Sequence, residues 1–182
     1  SSQNRTHYSL PKVGTRGMKV KIFAVLALVM LGIAGFLVYS HKPLAPDVAF
    51  STLQGERFRT ADLRGKVVLV NFWATTCATC IKEMPRLKDT HDKFRPRGFE
   101  TVAVAMDYDL PARVKAYAER SGLPFTIALD TRGEVAMAFE DVRLTPTSYI
   151  LDKRGRVVRK ILGEPDFDTL HALIEQLLAE SA

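Results

Sequence analysis

Residues 47–182 predict an α/β domain, a central mixed β-sheet with helices on both faces, preceded by one N-terminal transmembrane helix. Three observations predict it. Short, nearly continuous runs of β-branched and aromatic residues at Val67–Ala74, Thr101–Met106 and Phe125–Leu129 have the composition of strands covered on both faces. Segments with helical spacing of apolar residues separate them, which makes those strands parallel, and a late hairpin adds antiparallel ones. Ahead of the domain lies Ile22–Tyr39, an apolar run of 18 residues without a charge.

That run (IFAVLALVMLGIAGFLVY) would be roughly 27 Å long as a helix, close to the thickness of a bilayer's hydrocarbon core. It has no polar stripe, which a helix packed on a small domain would show. Five basic residues precede it and only Lys42 follows closely, so residues 1–21 are expected in the cytoplasm and the domain outside it. A cleavable signal peptide is the rival reading, with Lys19 and Lys21 as its charged front. Against it, the run exceeds the usual apolar length of about 7–15, and no Ala-x-Ala site precedes His41-Lys42-Pro43. We read residues 22–39 as an uncleaved single-pass anchor and 40–46 as a linker. Met18, directly before Lys-Val-Lys, reads as a natural start, and no function attaches to residues 1–17.

Within the domain, Val48–Leu53 and Arg57–Thr60 flank Gln54-Gly55-Glu56 as a small hairpin. After the strand at Val67–Ala74, the residues Ile81, Met84, Leu87 and His91 recur at helical spacing up to Phe94, and Pro96 and Gly98 end the segment. Thr101–Met106 is the second strand. Pro111–Arg120 reads as a helix, with Asp109 as candidate N-cap and Gly122 as its stop. Phe125–Leu129 is the third strand and Glu134–Glu140 a short helix. Ser148–Leu151 and Val157–Leu162 surround Asp152-Lys153-Arg154-Gly155, a hairpin loop. Phe167–Leu178 closes the chain as an amphipathic helix capped by Asp166.

The net charge of +6 invites a nucleic-acid partner, but its distribution excludes one. Six of the 26 Lys and Arg lie in residues 1–42, which hold no Asp or Glu; the remaining 20 balance 20 acidic residues. A neutral domain lacks the electrostatic footprint of nucleic-acid binding.

Both cysteines of the chain fall in one stretch, NFWATTCATC, as Cys77 and Cys80. They would sit at the carboxyl end of a central strand, where α/β sites usually form. Outside the cytoplasm a dithiol tends to be oxidised, or is kept reduced on purpose. Three uses are open. A structural staple closing four residues gains only about 1.9 kcal/mol in the chain-entropy model. A zinc site would need a second ligand pair, and His7, His41, His91 and His171 show no paired spacing; copper(I) needs only two or three soft ligands. The third use is a redox dithiol. With Cys77 at a strand-to-helix junction, the unpaired N–H groups of the helix start favour its thiolate, and Cys80 one turn on can resolve a mixed disulfide.

The segment VVLVNFWATTCATCIKEMPRL resembles the active-site segment of membrane-anchored thioredoxin-like oxidoreductases of the TlpA/ResA type. The resemblance extends from FRTADLRGKVV to TPTSYILDKRGRVV and covers about residues 44–180. It implies a thioredoxin fold with an N-terminal hairpin extension. It implies Cys77 as nucleophile, Cys80 as resolving thiol, Trp73 and Thr76 as substrate-binding residues beside the site, and Pro85 as the proline that kinks the active-site helix. Pro146 resembles the cis-proline that faces the dithiol, with Thr145 offering backbone hydrogen bonds to a bound substrate chain. Asn71 stands where thioredoxins proper carry a buried Asp, so that titrating group is absent. Glu83 matches a glutamate of the ResA-like branch and could supply a carboxylate instead; the alternative is an exposed helix charge. Ala78-Thr79, between the cysteines, lacks the histidine of strongly oxidising relatives, which favours a reductant. Thr76, where relatives often have Trp, is a second departure.

The resemblance further implies a periplasmic domain on a bacterial inner membrane and protein disulfides as substrates, among them apocytochrome c cysteines or copper-site thiols. No glycine-rich dinucleotide loop occurs, so no reducing cofactor is expected beyond the Cys77–Cys80 pair, and the unpaired histidines lead us to expect no metal. Electrons would come from a membrane partner of the CcdA/DsbD type. A disulfide oxidase or isomerase and a copper(I) carrier are the alternatives.

Overall fold

The computed structural model describes residues 15–39 and 42–181, without the side chains of 15–20, 34 and 36–39. Expectations for residues 1–14 and for the linker at 40 and 41 lie outside the described residues. The chain divides into two units, the first ending at His41 and the second beginning at Lys42. Helix α1, Thr15–Tyr39, occupies the first unit. Its large apolar side chains from Ile22 to Ile33 are exposed. Among the described residues no helix is long and apolar enough to cross a membrane; the expected span Ile22–Tyr39 includes the side chains of 34 and 36–39, which are not described.

The second unit opens with β1 (Ala49–Ser51) and β2 (Arg57–Arg59), an antiparallel pair around the expected turn. A short 3-10 turn follows at Thr60–Leu63, and then β3 (Val67–Trp73), α2 (Ala78–Phe94), β4 (Phe99–Ala105), α3 (Pro111–Ser121) and β5 (Thr126–Leu129). The chain continues through α4 (Glu134–Ala138), β6 (Thr147–Leu151) and β7 (Val157–Leu162) to α5 (Phe167–Ala179). The sheet order is β5-β4-β3-β6-β7. β3 pairs parallel with β4 and antiparallel with β6, and β6 pairs antiparallel with β7, so the sheet is mixed as the sequence predicts.

All seven residues of β3 are buried, which explains its lack of alternating polarity. Its odd positions face one core and its even positions the other. Val67, Leu69 and Trp73 pack with Met84, Leu87 and Phe94 of α2, Val114 of α3 and Leu170, Ile174 and Leu177 of α5. Val68, Val70 and Phe72 pack with Val135 of α4, Phe139 and Phe50 of the hairpin. The hairpin also covers the sheet edge at β5, through the Leu53 N–H donating to the Ile127 carbonyl at 3.1 Å.

Two local expectations are corrected. Asp109 does not cap α3: Leu110 holds the cap position with no side-chain bond, because the Asp109 carboxylate is engaged elsewhere. The short helix ends at Ala138 rather than Glu140, because Glu140 and Asp141 take left-handed φ values of 62° and 54° that no helix tolerates. Gly122 does stop α3, in the left-handed conformation at φ 55° that glycine adopts freely. Asp166 caps α5 by accepting from the Thr169 N–H at 2.8 Å.

Candidate active site

The site forms where β3 runs into α2. The Cys77 N–H donates to the Ala74 carbonyl at 3.1 Å, which closes a turn out of the strand. Cys77 is then the N-cap of α2, and its Sγ accepts from the Cys80 N–H at 3.2 Å. Sulfur here occupies the place of the hydroxyl oxygen of an ordinary cap. Cys77 and Cys80 are joined as a disulfide with their Cα atoms 5.2 Å apart. Cys77 is partly accessible, whereas Cys80 is fully buried among the α2 core residues. A partner can therefore reach only Cys77. When the pair is reduced, the helix start and the Cys80 N–H favour its thiolate.

The Thr145–Pro146 peptide is cis, the conformation that the resemblance implies. It brings the Thr145 carbonyl oxygen to 3.5 Å from the Cys77 Sγ, so this loop faces the dithiol. Thr76 and Ala78 are exposed beside Cys77, and Thr145 is half-buried. Trp73 is corrected: it is fully buried, its ring tilted against that of Tyr117 at a centroid distance of 5.5 Å, so it supports the site from within the core and offers no surface to a substrate. Pro85 lies inside a helix that continues unbroken to Phe94, and it is exposed; its ring costs α2 one backbone donor.

Glu83 is not an exposed helix charge. Its side chain points into the core with no exposure. Its Oε1 accepts from the Asn71 Nδ2 at 3.0 Å, and the same Nδ2 donates to the Ser148 Oγ at 3.0 Å. Burial pushes the Glu83 carboxyl up to about 7; the Asn71 bond opposes that and the Glu164 charge adds to it. A carboxyl poised there can give or take a proton at neutral pH. A half-turn of the Asn71 amide exchanges donor for acceptor, so this residue can pair with either protonation state of Glu83.

The sequence does not single out Ser148. It lies directly across from Asn71 in the β3–β6 register, a pairing that only the folded sheet reveals. Its small polar side chain inside a buried strand is the one signal available beforehand. Tyr108 was likewise unmarked: its hydroxyl lies 3.4 Å from the Thr145 Oγ1.

The Redoxin family profile matches residues 41–174. The chain belongs to the Redoxin family. It is 31% identical over 163 residues to the thiol-disulfide oxidoreductase ResA of Bacillus thuringiensis, covering 84% of this chain and 93% of that one. It is 34% identical over 149 residues to ResA of Geobacillus thermodenitrificans, covering 76% and 84%. A thiol:disulfide interchange protein of the thioredoxin family from Chlorobium tepidum superposes with a TM-score of 0.70 at 27% identity, covering 77% and 99%. Family, thioredoxin fold and a dithiol at disulfide distance together make this Redoxin-family protein a thiol-disulfide oxidoreductase.

Proposed function

We propose that this oxidoreductase works as a reductant of disulfides in partner proteins, held at a bacterial inner membrane with its second unit in the periplasm. The observation that carries the reaction is the half-accessible Cys77 capping α2 above buried Cys80, with the Thr145 carbonyl beside its sulfur. The reduced Cys77 thiolate attacks one sulfur of a partner disulfide, and the other partner sulfur leaves as a thiolate that takes a proton. Cys80, deprotonated, attacks the Cys77 sulfur and displaces the reduced partner. The protein is left as the Cys77–Cys80 disulfide, and two electrons have passed to the partner. Glu83 supports the second step as the base for Cys80, given its position in the same buried face of α2.

The Ala78-Thr79 pair supports the reducing direction, since no histidine stabilises the thiolate between the cysteines. The apolar, exposed side chains of α1 and the charge-free run Ile22–Tyr39 support the anchor, and the basic residues before that run support the orientation. Substrates of the apocytochrome c or copper-site type, and a membrane electron donor of the CcdA/DsbD type, follow from the resemblance to ResA.

The reduction potential of the full chain against glutathione and dithiothreitol tests the direction. A value near or below about −270 mV supports a reductant; one nearer −120 mV makes the protein an oxidant of thiols.

A further inference from the structure

We infer that Asp109 positions the attacking cysteine by clamping the turn that leads into it. The inference rests on the reading of Cys77 as the nucleophile. Asp109 is buried, only 5% exposed, in the loop between β4 and α3. Both of its carboxylate oxygens are taken by one residue. The Thr75 N–H donates to Oδ2 at 2.5 Å, and the Thr75 hydroxyl donates to Oδ1 at 2.7 Å. Among the described residues no cation forms an ion pair with it. A buried carboxylate is costly without charge-assisted donors, so this one holds Thr75 firmly.

Thr75 is the second residue of the turn that starts at Ala74 and closes on the Cys77 N–H. Fixing it fixes where Cys77 meets the first turn of α2. The same loop is tied on both sides of the dithiol. The Met106 N–H donates to the Trp73 carbonyl at 3.0 Å at the end of β3, and Tyr108 lies against Thr145 on the cis-proline side. The β4–α3 loop is thus the third wall of the site, and Asp109 is the contact that reaches the Cys77 turn. A thiolate gains from the helix start only within the first turn, so a small drift of Cys77 forfeits much of that gain.

The test is the pH dependence of iodoacetamide alkylation of Cys77 in the reduced full chain, with the rate of attack on oxidised glutathione measured in parallel. Asp109→Ala is expected to raise the Cys77 pKa by about one unit and to slow attack at pH 7 about tenfold. Asp109→Asn keeps an acceptor for the Thr75 N–H and can donate to its hydroxyl, so it is expected to restore both values to within about threefold. Thr75→Ala loses only the hydroxyl arm and is expected to shift both in the same direction by less. Unchanged values in Asp109→Ala overturn the inference. Equal shifts in Asp109→Ala and Asp109→Asn also overturn it, because they would report the charge and not the clamp. If Asp109→Ala does not fold, Thr75→Ala decides, and an unshifted Cys77 there overturns the inference. A wild-type protein that alkylates as expected but exchanges with no disulfide would instead defeat the proposed function and leave the clamp intact.

Discussion

The two faces of the central sheet are built from the same strands and serve different ends. On one face Val68, Val70, Phe72, Val102, Val104, Tyr149 and Leu151 form an almost wholly apolar layer. Its polar atom, the Tyr149 hydroxyl, donates to the Phe139 carbonyl at 2.7 Å, with a Glu140 carboxylate oxygen 3.2 Å away. The opposite face carries Asn71, Ser148 and Thr101 from the strands and Glu83, Thr90 and His91 from α2, all buried. Four buried side-chain atoms among the described residues lack a hydrogen-bond partner: Asn71 Oδ1, Trp73 Nε1, Glu83 Oε2 and His91 Nε2. All four belong to the dithiol face. An unpartnered buried group of this kind costs about 1–3 kcal/mol, so the polar cost of the core falls on the dithiol face.

The sharpest break of this comparison is on the dithiol face. Cys77→Ser is expected to lower disulfide exchange by more than about 10³-fold, measured as turnover of a disulfide substrate, with the fold retained. Cys80→Ser should accumulate the Cys77 mixed disulfide, visible as a mass increase that dithiothreitol reverses.

The reverse substitution belongs to the dry face. Phe72→Ala, whose ring meets Phe139 and Tyr149 edge-on, is expected to cost about 3–5 kcal/mol in urea unfolding and to leave the reduction potential in place. A smaller effect separates charge from packing. Asn71→Ala removes the bond that favours ionised Glu83, so the limb of the exchange profile governed by Glu83 should move to higher pH by up to about one unit.

The smallest effect concerns His91, which is buried against Thr101 with its Nδ1 3.1 Å from the hydroxyl. Burial lowers its pKa, so the unfolded chain binds a proton before the folded one does. Stability is then full above the ordinary histidine value near about 6.5 and falls as pH drops through it. His91→Gln should flatten that acid slope in pH-dependent unfolding, leaving only a constant loss of packing that does not vary with pH.

Legibility in the sequence divided between local and long-range signals. The elements are readable, because unbroken β-branched runs and helical spacing are local; β3, β4, α2 and the late hairpin stand within a residue or two of their expected places. The dithiol was readable from two cysteines at one helix start. The network behind it was not. Glu83 looks like any helix acid until α2 docks, Ser148 needs the β3–β6 register, and Asp109 carries a cap signature while its carboxylate reaches 34 residues back to Thr75. Long-range pairing decides these residues, and no local pattern encodes it. Trp73 failed differently: an aromatic next to a redox motif suggests contact with substrate, but its place on β3 buries it.

The most direct measurement is the unfolding free energy of the oxidised wild type and of Glu83→Gln, compared from pH 4 to pH 8. The Glu83 carboxyl sits at about 7 in the fold against 4.5 in the open chain. Between those values the folded state holds a proton that the unfolded state has released, so the wild type loses stability as pH rises. The neutral amide escapes that loss, and its advantage over wild type should grow by about 3 kcal/mol across the range. A difference that stays flat with pH would contradict a buried, proton-carrying Glu83 behind the dithiol.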